Sequence, residues 1–164
     1  MKAQDEAQIP RISAASFDDA ELMRRIMQEA FAEYIGVLRP ESGAHTETAD
    51  DVRRVLALGG GILAWLRDDA VGAARYEQRD ACLYVGRVAV LPAFRGHGIA
   101  SAMMRHLEQV ARDSGLPAMQ VGVRMSLPSN LALYRRLGYE LTDLQPHPRG
   151  PDRVGTLIKP LHAP

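Results

Sequence analysis

Residues 88–100 read Val-Ala-Val-Leu-Pro-Ala-Phe-Arg-Gly-His-Gly-Ile-Ala. A β-branched run stops at a proline, and two closely spaced glycines then open into an apolar, helix-forming stretch. A strand that turns directly into a helix aims the helix's unpaired first N–H groups and the positive end of its dipole at one point. Gly96 and Gly98 let a ligand approach that backbone closely and Arg95 adds a fixed cation, so the chemistry on offer is recognition of a phosphate or pyrophosphate. Two familiar phosphate loops do not fit: the segment has no Gly-Lys-Ser/Thr ending, and it lacks the Gly-x-Gly-x-x-Gly spacing of a dinucleotide fold. The histidines His45, His97, His106, His147 and His162 are scattered. They lack the close pairs that metal ligation favours, so no metal is expected.

The hexapeptide Arg95-Gly96-His97-Gly98-Ile99-Ala100 matches Arg/Gln-x-x-Gly-x-Gly/Ala in full, behind the strand-like run Val88-Ala89-Val90-Leu91-Pro92. A second signature follows in Ser129-Asn130-Leu131-Ala132-Leu133-Tyr134-Arg135-Arg136-Leu137-Gly138-Tyr139, an Asn-initiated helix that carries a tyrosine and ends in Leu-Gly-Tyr. On these residues the sequence resembles the GNAT superfamily of acyl-CoA-dependent N-acetyltransferases, over nearly the whole chain and most specifically between Val88 and Tyr139. The resemblance implies that acetyl-CoA is the acyl donor and that a primary amine of a small molecule or peptide attacks it directly in a ternary complex. It places the pyrophosphate of coenzyme A on the backbone N–H groups of Arg95, Gly96, His97, Gly98, Ile99 and Ala100, with Ser101 as a hydroxyl donor. His97 itself fills a variable position and reads as a solvated side chain. Val88 and Val90 would contribute backbone only, the pantetheine lying beside them as a pseudo-strand while an N–H near Val90 polarises the thioester carbonyl. Asn130 would hydrogen-bond the cofactor, cap its helix, or do both. Tyr134, one turn further along the same face, would be the general acid that meets the departing thiolate, or else a core tyrosine.

One group of the family pattern is missing. Many members carry a glutamate on the strand before the phosphate loop to take the amine's proton, whereas Tyr84, Val85, Gly86 and Arg87 stand there. Tyr84, Glu77, Glu33 or a water chain are left as base candidates. Arg87 favours a carboxylate-bearing acceptor if it faces the cleft, and is otherwise a surface arginine. His45 falls in a loop that walls the acceptor site in this family, where a histidine is ordinarily solvated. The missing carboxylate also keeps a non-catalytic acyl-CoA-binding sensor as the alternative function.

These residues need a scaffold. A short strand at 9–13 precedes a helix in which Leu22, Ile26, Met27, Ala30 and Phe31 recur at helical spacing, with Asp18 and Asp19 suited to its N-terminus. A loop at 36–46 leads to a second helix at 49–58, ended by Gly59, Gly60 and Gly61. Strand character at 62–66, 71–76 and 82–91, joined by short links, predicts an antiparallel meander. A helix over 98–114 stops at Gly115; a strand at 118–123, a helix at 129–137 and strands at 139–142 and 154–158 follow. The Pro- and Gly-rich stretch 146–151 would cover the acceptor cleft or contact a second subunit, as in a homodimer. The expected fold class is α/β (α+β), a GNAT-like mixed and mostly antiparallel sheet flanked by helices, in one domain over 1–164.

Composition narrows the partners. The 164 residues are 46% hydrophobic, with 20 Lys plus Arg against 20 Asp plus Glu, the profile of an ordinary globular domain without the basic stripe that nucleic acid requires. Cys82 is the sole cysteine, which excludes an internal disulfide and Cys-rich zinc modules and fits a reducing compartment. No apolar run reaches the roughly 18 residues of a membrane span. Residues 1–10 lack the basic start and apolar core of a signal peptide and read as a frayed end. A cytoplasmic protein is expected, without membrane or nucleic-acid partners.

Overall fold

The structure is a computed structural model that describes residues 8–162; residues 1–7, most of the stretch read as a frayed end, lie outside the described residues. Helix α1 (Ala20–Phe31) buries Ala20, Met23, Ile26, Met27 and Ala30, the three-and-four spacing of one amphipathic face. Helix α2 (Ala49–Leu58) starts with a reciprocal cap. The Thr48 hydroxyl accepts from the Asp51 N–H at 3.1 Å, and the Asp51 carboxylate accepts from the Thr48 N–H at 2.9 Å. Gly59 alone ends this helix, because a Cβ there would lie 2.0 Å from the Tyr76 carbonyl oxygen. Gly60 and Gly61, expected as part of the stop, already belong to the next strand.

Among the described residues seven strands run in chain order as β1 (Arg11–Ala14), β2 (Gly60–Leu66), β3 (Asp69–Arg79), β4 (Cys82–Val90), β5 (Ala118–Arg124), β6 (Glu140–Pro146) and β7 (Arg153–Pro160). They form one sheet in the order β1-β2-β3-β4-β5-β7-β6. Only β4 and β5 pair in parallel; the other neighbours are antiparallel, so the sheet is mixed and mostly antiparallel, and the β2–β3–β4 meander is present as expected. The strand expected at 139–142 starts one residue later and runs to Pro146, because its pairing with β7 continues to Pro146↔Arg153. Tyr139 turns inward instead and is 2% exposed.

Helices α3 (Ile99–Asp113) and α4 (Pro128–Arg136) share one side of the sheet. Their core contains Met103, Met104 and Leu107, all 0% exposed, each stabilising the fold by about 1.5–3 kcal/mol through burial. On the opposite side α1 and α2 pack on Leu63, Ala73 and Ala89. The sheet is thus covered by helices on both faces.

Two irregularities at its centre open a site. Strands β4 and β5 pair only from Cys82↔Ala118 to Val85↔Val121, although both continue beyond. On the other edge of β4 the register jumps from Arg75↔Gly86 to Ala73↔Ala89. Arg87 and Val88 therefore share one opposing residue, a β-bulge, and Arg87 holds a φ of 51°, uncommon for a residue with a side chain. The bulge exchanges faces: Leu83 and Val85 lie in the α3 core, but beyond it Ala89 joins the α1 core while Val88 and Val90 pack toward α3.

Candidate functional site

Where β4 and β5 diverge, a cleft of about 710 Å³ opens. The backbone of β4 from Gly86 onward has no β5 neighbour there, so one edge of the strand can accept another extended chain. Val88, Val90, Arg95, Gly96, Gly98, Ile99, Ala100, Ser101, Asn130 and Tyr134 all line this one cleft. His97 does not; it is exposed, with Nδ1 within 2.9 Å of the Arg95 carbonyl oxygen.

The turn into α3 has the geometry of an anion site. Gly96 and Gly98 hold φ values of 80° and 76°, in the left-handed region that glycine enters without strain. A Cβ at either would meet no atom within 4 Å, which leaves the space beside the turn open. The first bond within α3 runs from the Ala102 N–H to the Gly98 carbonyl at 3.0 Å, so the N–H groups of Ile99, Ala100 and Ser101 precede the ladder and face no helical acceptor. Arg95 departs from expectation. Its Nη1 donates to Glu33 at 2.7 Å, its Nη2 to the Ala30 carbonyl at 2.8 Å and its Nε to the Val90 carbonyl at 3.2 Å. The guanidinium that was to add a cation beside a phosphate instead ties the turn to the end of α1, because carboxylate and carbonyl oxygens surround it on that side.

On α4 the N-cap is Leu127 and Pro128 opens the helix, so Asn130 sits inside the first turn rather than at the cap. Proline, with no N–H to satisfy, suits that first position. The Asn130 side chain is left to the cleft and to Tyr34, whose phenol is raised first by burial and then by Glu33, while Arg95 and Asn130 pull it down. Tyr134 is 8% exposed and meets Tyr139 edge-on with ring centroids 5.8 Å apart. Burial pushes its phenol well above the ordinary tyrosine range, and the phenols of Tyr84 and Tyr34 add to the shift. Its core and cleft readings are compatible: the ring packs in the α3 core while the residue walls the cleft.

Of the base candidates, Glu77 is absent from the cleft lining and pairs with Arg79. Glu33 lines the cleft but is paired with Arg95, and Tyr84 lines it with the Arg79 guanidinium 3.6 Å above its ring. Arg87 is not a surface arginine. It lines the cleft, held by the bulge and by Glu47 Oε1, to which Nη2 donates at 3.0 Å and Nε at 3.3 Å. Arg75 grips both oxygens of the same carboxylate at 2.7 and 2.8 Å. Burial alone would raise the Glu47 carboxyl, yet the two guanidinium groups outweigh it and hold it below the usual carboxylate range.

Arg124, at the end of β5, mirrors this arrangement. Its Nε donates to Asp152 at 2.8 Å and its Nη2 to the Pro40 carbonyl, and the Ser126 hydroxyl donates to the same Asp152 carboxylate at 2.7 Å. Burial of Asp152 again works toward a higher value and is outweighed by these donors, so its carboxyl lies below the usual range. The Asp152 N–H reaches the Arg39 carbonyl at 3.2 Å, and a Cβ on Gly150 would come within 2.6 Å of Pro40. The 146–151 stretch thus packs on the loop between α1 and α2. His45, expected in solvent, has only 14% of its side chain exposed; its buried Nε2 makes no hydrogen bond among the described residues, with Glu41 Oε2 3.8 Å away. Glu47, Arg124 and Asp152 went unnoticed in the sequence, where nothing in their spacing links them to the site. Among the described residues, no cluster of His, Cys, Asp or Glu is arranged to hold a metal, and no helix is long and apolar enough to cross a membrane.

Comparison with known proteins gives a family and a fold. Residues 23–139 match the acetyltransferase (GNAT) family. The structure is similar to ribosomal-protein-S18-alanine N-acetyltransferase from Escherichia coli, at 17% identity and a TM-score of 0.77, covering 95% of this chain and 96% of that one. It is similar to Ard1 from Thermoplasma volcanium, at 18% identity and a TM-score of 0.77 over 94% and 99% of the two chains. A third likeness is to PaiA N-acetyltransferase from Thermoplasma acidophilum, solved in complex with coenzyme A, at 15% identity and a TM-score of 0.73 over 90% and 98%. At such identities these structures share the fold.

Proposed function

The chain belongs to the acetyltransferase (GNAT) family, and from that premise we propose that it is an N-acetyltransferase that moves the acetyl group of acetyl-CoA to a primary amine within a ternary complex. The observation that carries this is the convergence, in one cleft, of the open N–H turn at Gly96 and Gly98, the unpaired edge of β4, and the side chains of Asn130 and Tyr134. The cradle suits coenzyme A: a side chain at either glycine would fill the space a pyrophosphate needs, and an amide-bearing pantetheine can pair with a strand edge.

In this proposal the backbone from Arg95 to Ala100, with the Ser101 hydroxyl, holds the pyrophosphate, and Asn130 holds the pantetheine. Acetyl-CoA supplies a thioester whose carbonyl carbon accepts the amine's electron pair as the C–S bond breaks. An N–H of β4 near Val90 polarises that carbonyl. Tyr134, kept protonated by burial, donates its proton to the thiolate sulfur as it leaves. The amine's own proton goes to Tyr84, Glu33 or water, all within reach of a cleft that both residues line. A non-catalytic sensor would need the cofactor strip alone, whereas this cleft extends past it to Leu38, Ser42 and Arg124, which supports a second substrate.

Incubation with acetyl-CoA and a panel of amines, followed by thiol release, tests the proposal. Release that depends on the amine is expected. Tight CoA binding with no release on any amine would overturn it.

A further inference from the structure

Among the described residues, four guanidinium groups, on Arg87, Arg95, Arg124 and Arg136, line the cleft against one carboxylate, Glu33, and Glu33 is already matched with Arg95. The end away from α3 holds Arg87, which shares the single charge of Glu47 with Arg75 and so carries the excess positive charge, and Arg124, which Asp152 matches. Arg87 and Arg124 stand just past the last β4–β5 pair, Val85↔Val121, one on each strand of the opening wedge. Both reach the same short loop: Arg124 binds the Pro40 carbonyl, and Arg87 comes 3.5 Å from the Ser42 hydroxyl.

Their pairing leaves donors over. Arg87 gives Nε and Nη2 to Glu47, and its Nη1 has only the long contact to Ser42. Arg124 gives Nε to Asp152 and Nη2 to Pro40, so among the described residues its Nη1 has no acceptor. Glu47 carries one negative charge between Arg75 and Arg87, which leaves a net positive charge on that trio. Two guanidinium groups held rigid by low-exposure carboxylates, each with a donor to spare beside an open cleft, form a preorganised carboxylate clamp. The absence of a free carboxylate among the described residues of the lining disfavours an acceptor with several positive charges.

We infer that the acceptor is an amine that also carries a carboxylate, bound through Arg87 and Arg124 so that its amino group points back toward the β4 edge. This deepens the acetyltransferase proposal and rests on it. The clamp acts on binding and orientation: the carboxylate takes no part in bond making, and the transferred acetyl, the leaving thiolate and the protons move as described above.

The test compares free α-amino acids, ω-amino acids and dipeptides with their C-terminal amides, and with spermidine, all with acetyl-CoA and thiol release as the readout. At least one acid should exceed its own amide in kcat/KM by tenfold or more. Arg87→Gln, which leaves Glu47 paired with Arg75, should lower that acid's kcat/KM by tenfold or more through KM, and by at least threefold more than it lowers the amide's. Amides or spermidine used as well as the acids would overturn the inference and leave the acetyltransferase proposal standing. CoA release that no amine raises above the amine-free rate would overturn both.

Discussion

Burial holds the Tyr134 phenol protonated at neutral pH, so in the proposed reaction it stands beside the departing thiolate as a donor and not as the base. Replacing it with Phe keeps the ring and its edge contact with Tyr139 and removes only the hydroxyl. Turnover of Tyr134→Phe should fall by roughly 10²-fold with CoA affinity and unfolding midpoint little changed. An equally active variant would leave Tyr134 as packing and assign the proton to water. Tyr134 and Asn130 were legible in the sequence because they lie four positions apart on one helix, and helical spacing alone puts them together. Arg95 was legible as a position but not as a role, since the oxygens of Ala30 and Glu33 that capture it arrive from another element. Glu47 and Asp152 were not legible at all. Their partners Arg87 and Arg124 are 40 and 28 residues away, and only the sheet topology selects them.

At the scale of elements, the N-terminus of α3 and the bulge in β4 make the site, and they differ in how far sequence revealed them. Two glycines at a strand-to-helix turn announce themselves, whereas in the 82–91 segment Gly86 alone, set inside a strand, hints at the irregularity by which Arg87 and Val88 share one partner. The turn can be tested against a matched control. Gly98 and Gly115 lie at opposite ends of α3 with φ values of 76° and 73°, and neither has an atom within 4 Å of a built Cβ. A side chain in the left-handed region costs about 1–2 kcal/mol, so Gly98→Val and Gly115→Val should lose similar stability in urea titrations. Only Gly98→Val should also lose CoA affinity, by tenfold or more, because its side chain occupies the space beside the free N–H groups of Ile99 and Ala100. Equal CoA affinity in the two variants, measured by calorimetry, would move the pyrophosphate elsewhere.

Across the whole molecule, the cleft exists because the sheet splits between β4 and β5 while two ion-pair latches hold the loops around the split. Glu47 joins the segment before α2 to Arg75 and Arg87, and Asp152 joins the β6–β7 connection to Arg124. Both carboxyls lie below their usual range in the folded chain. Such a group contributes stability that is fully present above its unfolded value, about 4.3 for Glu and 3.9 for Asp, and that is lost as pH falls through the lower folded value. The latches are therefore intact at neutral pH and release below about pH 4. Glu47→Gln removes one titrating carboxyl while leaving a side chain of the same size. The parent should exceed this variant in urea midpoint by a constant margin from pH 7 down to about pH 5, and the margin should shrink as pH drops toward 3. A margin that stays constant down to pH 3 would mean that the Glu47 charge does not hold the loop, and that the acceptor end of the cleft is shaped by packing of Pro40 against Gly150 instead.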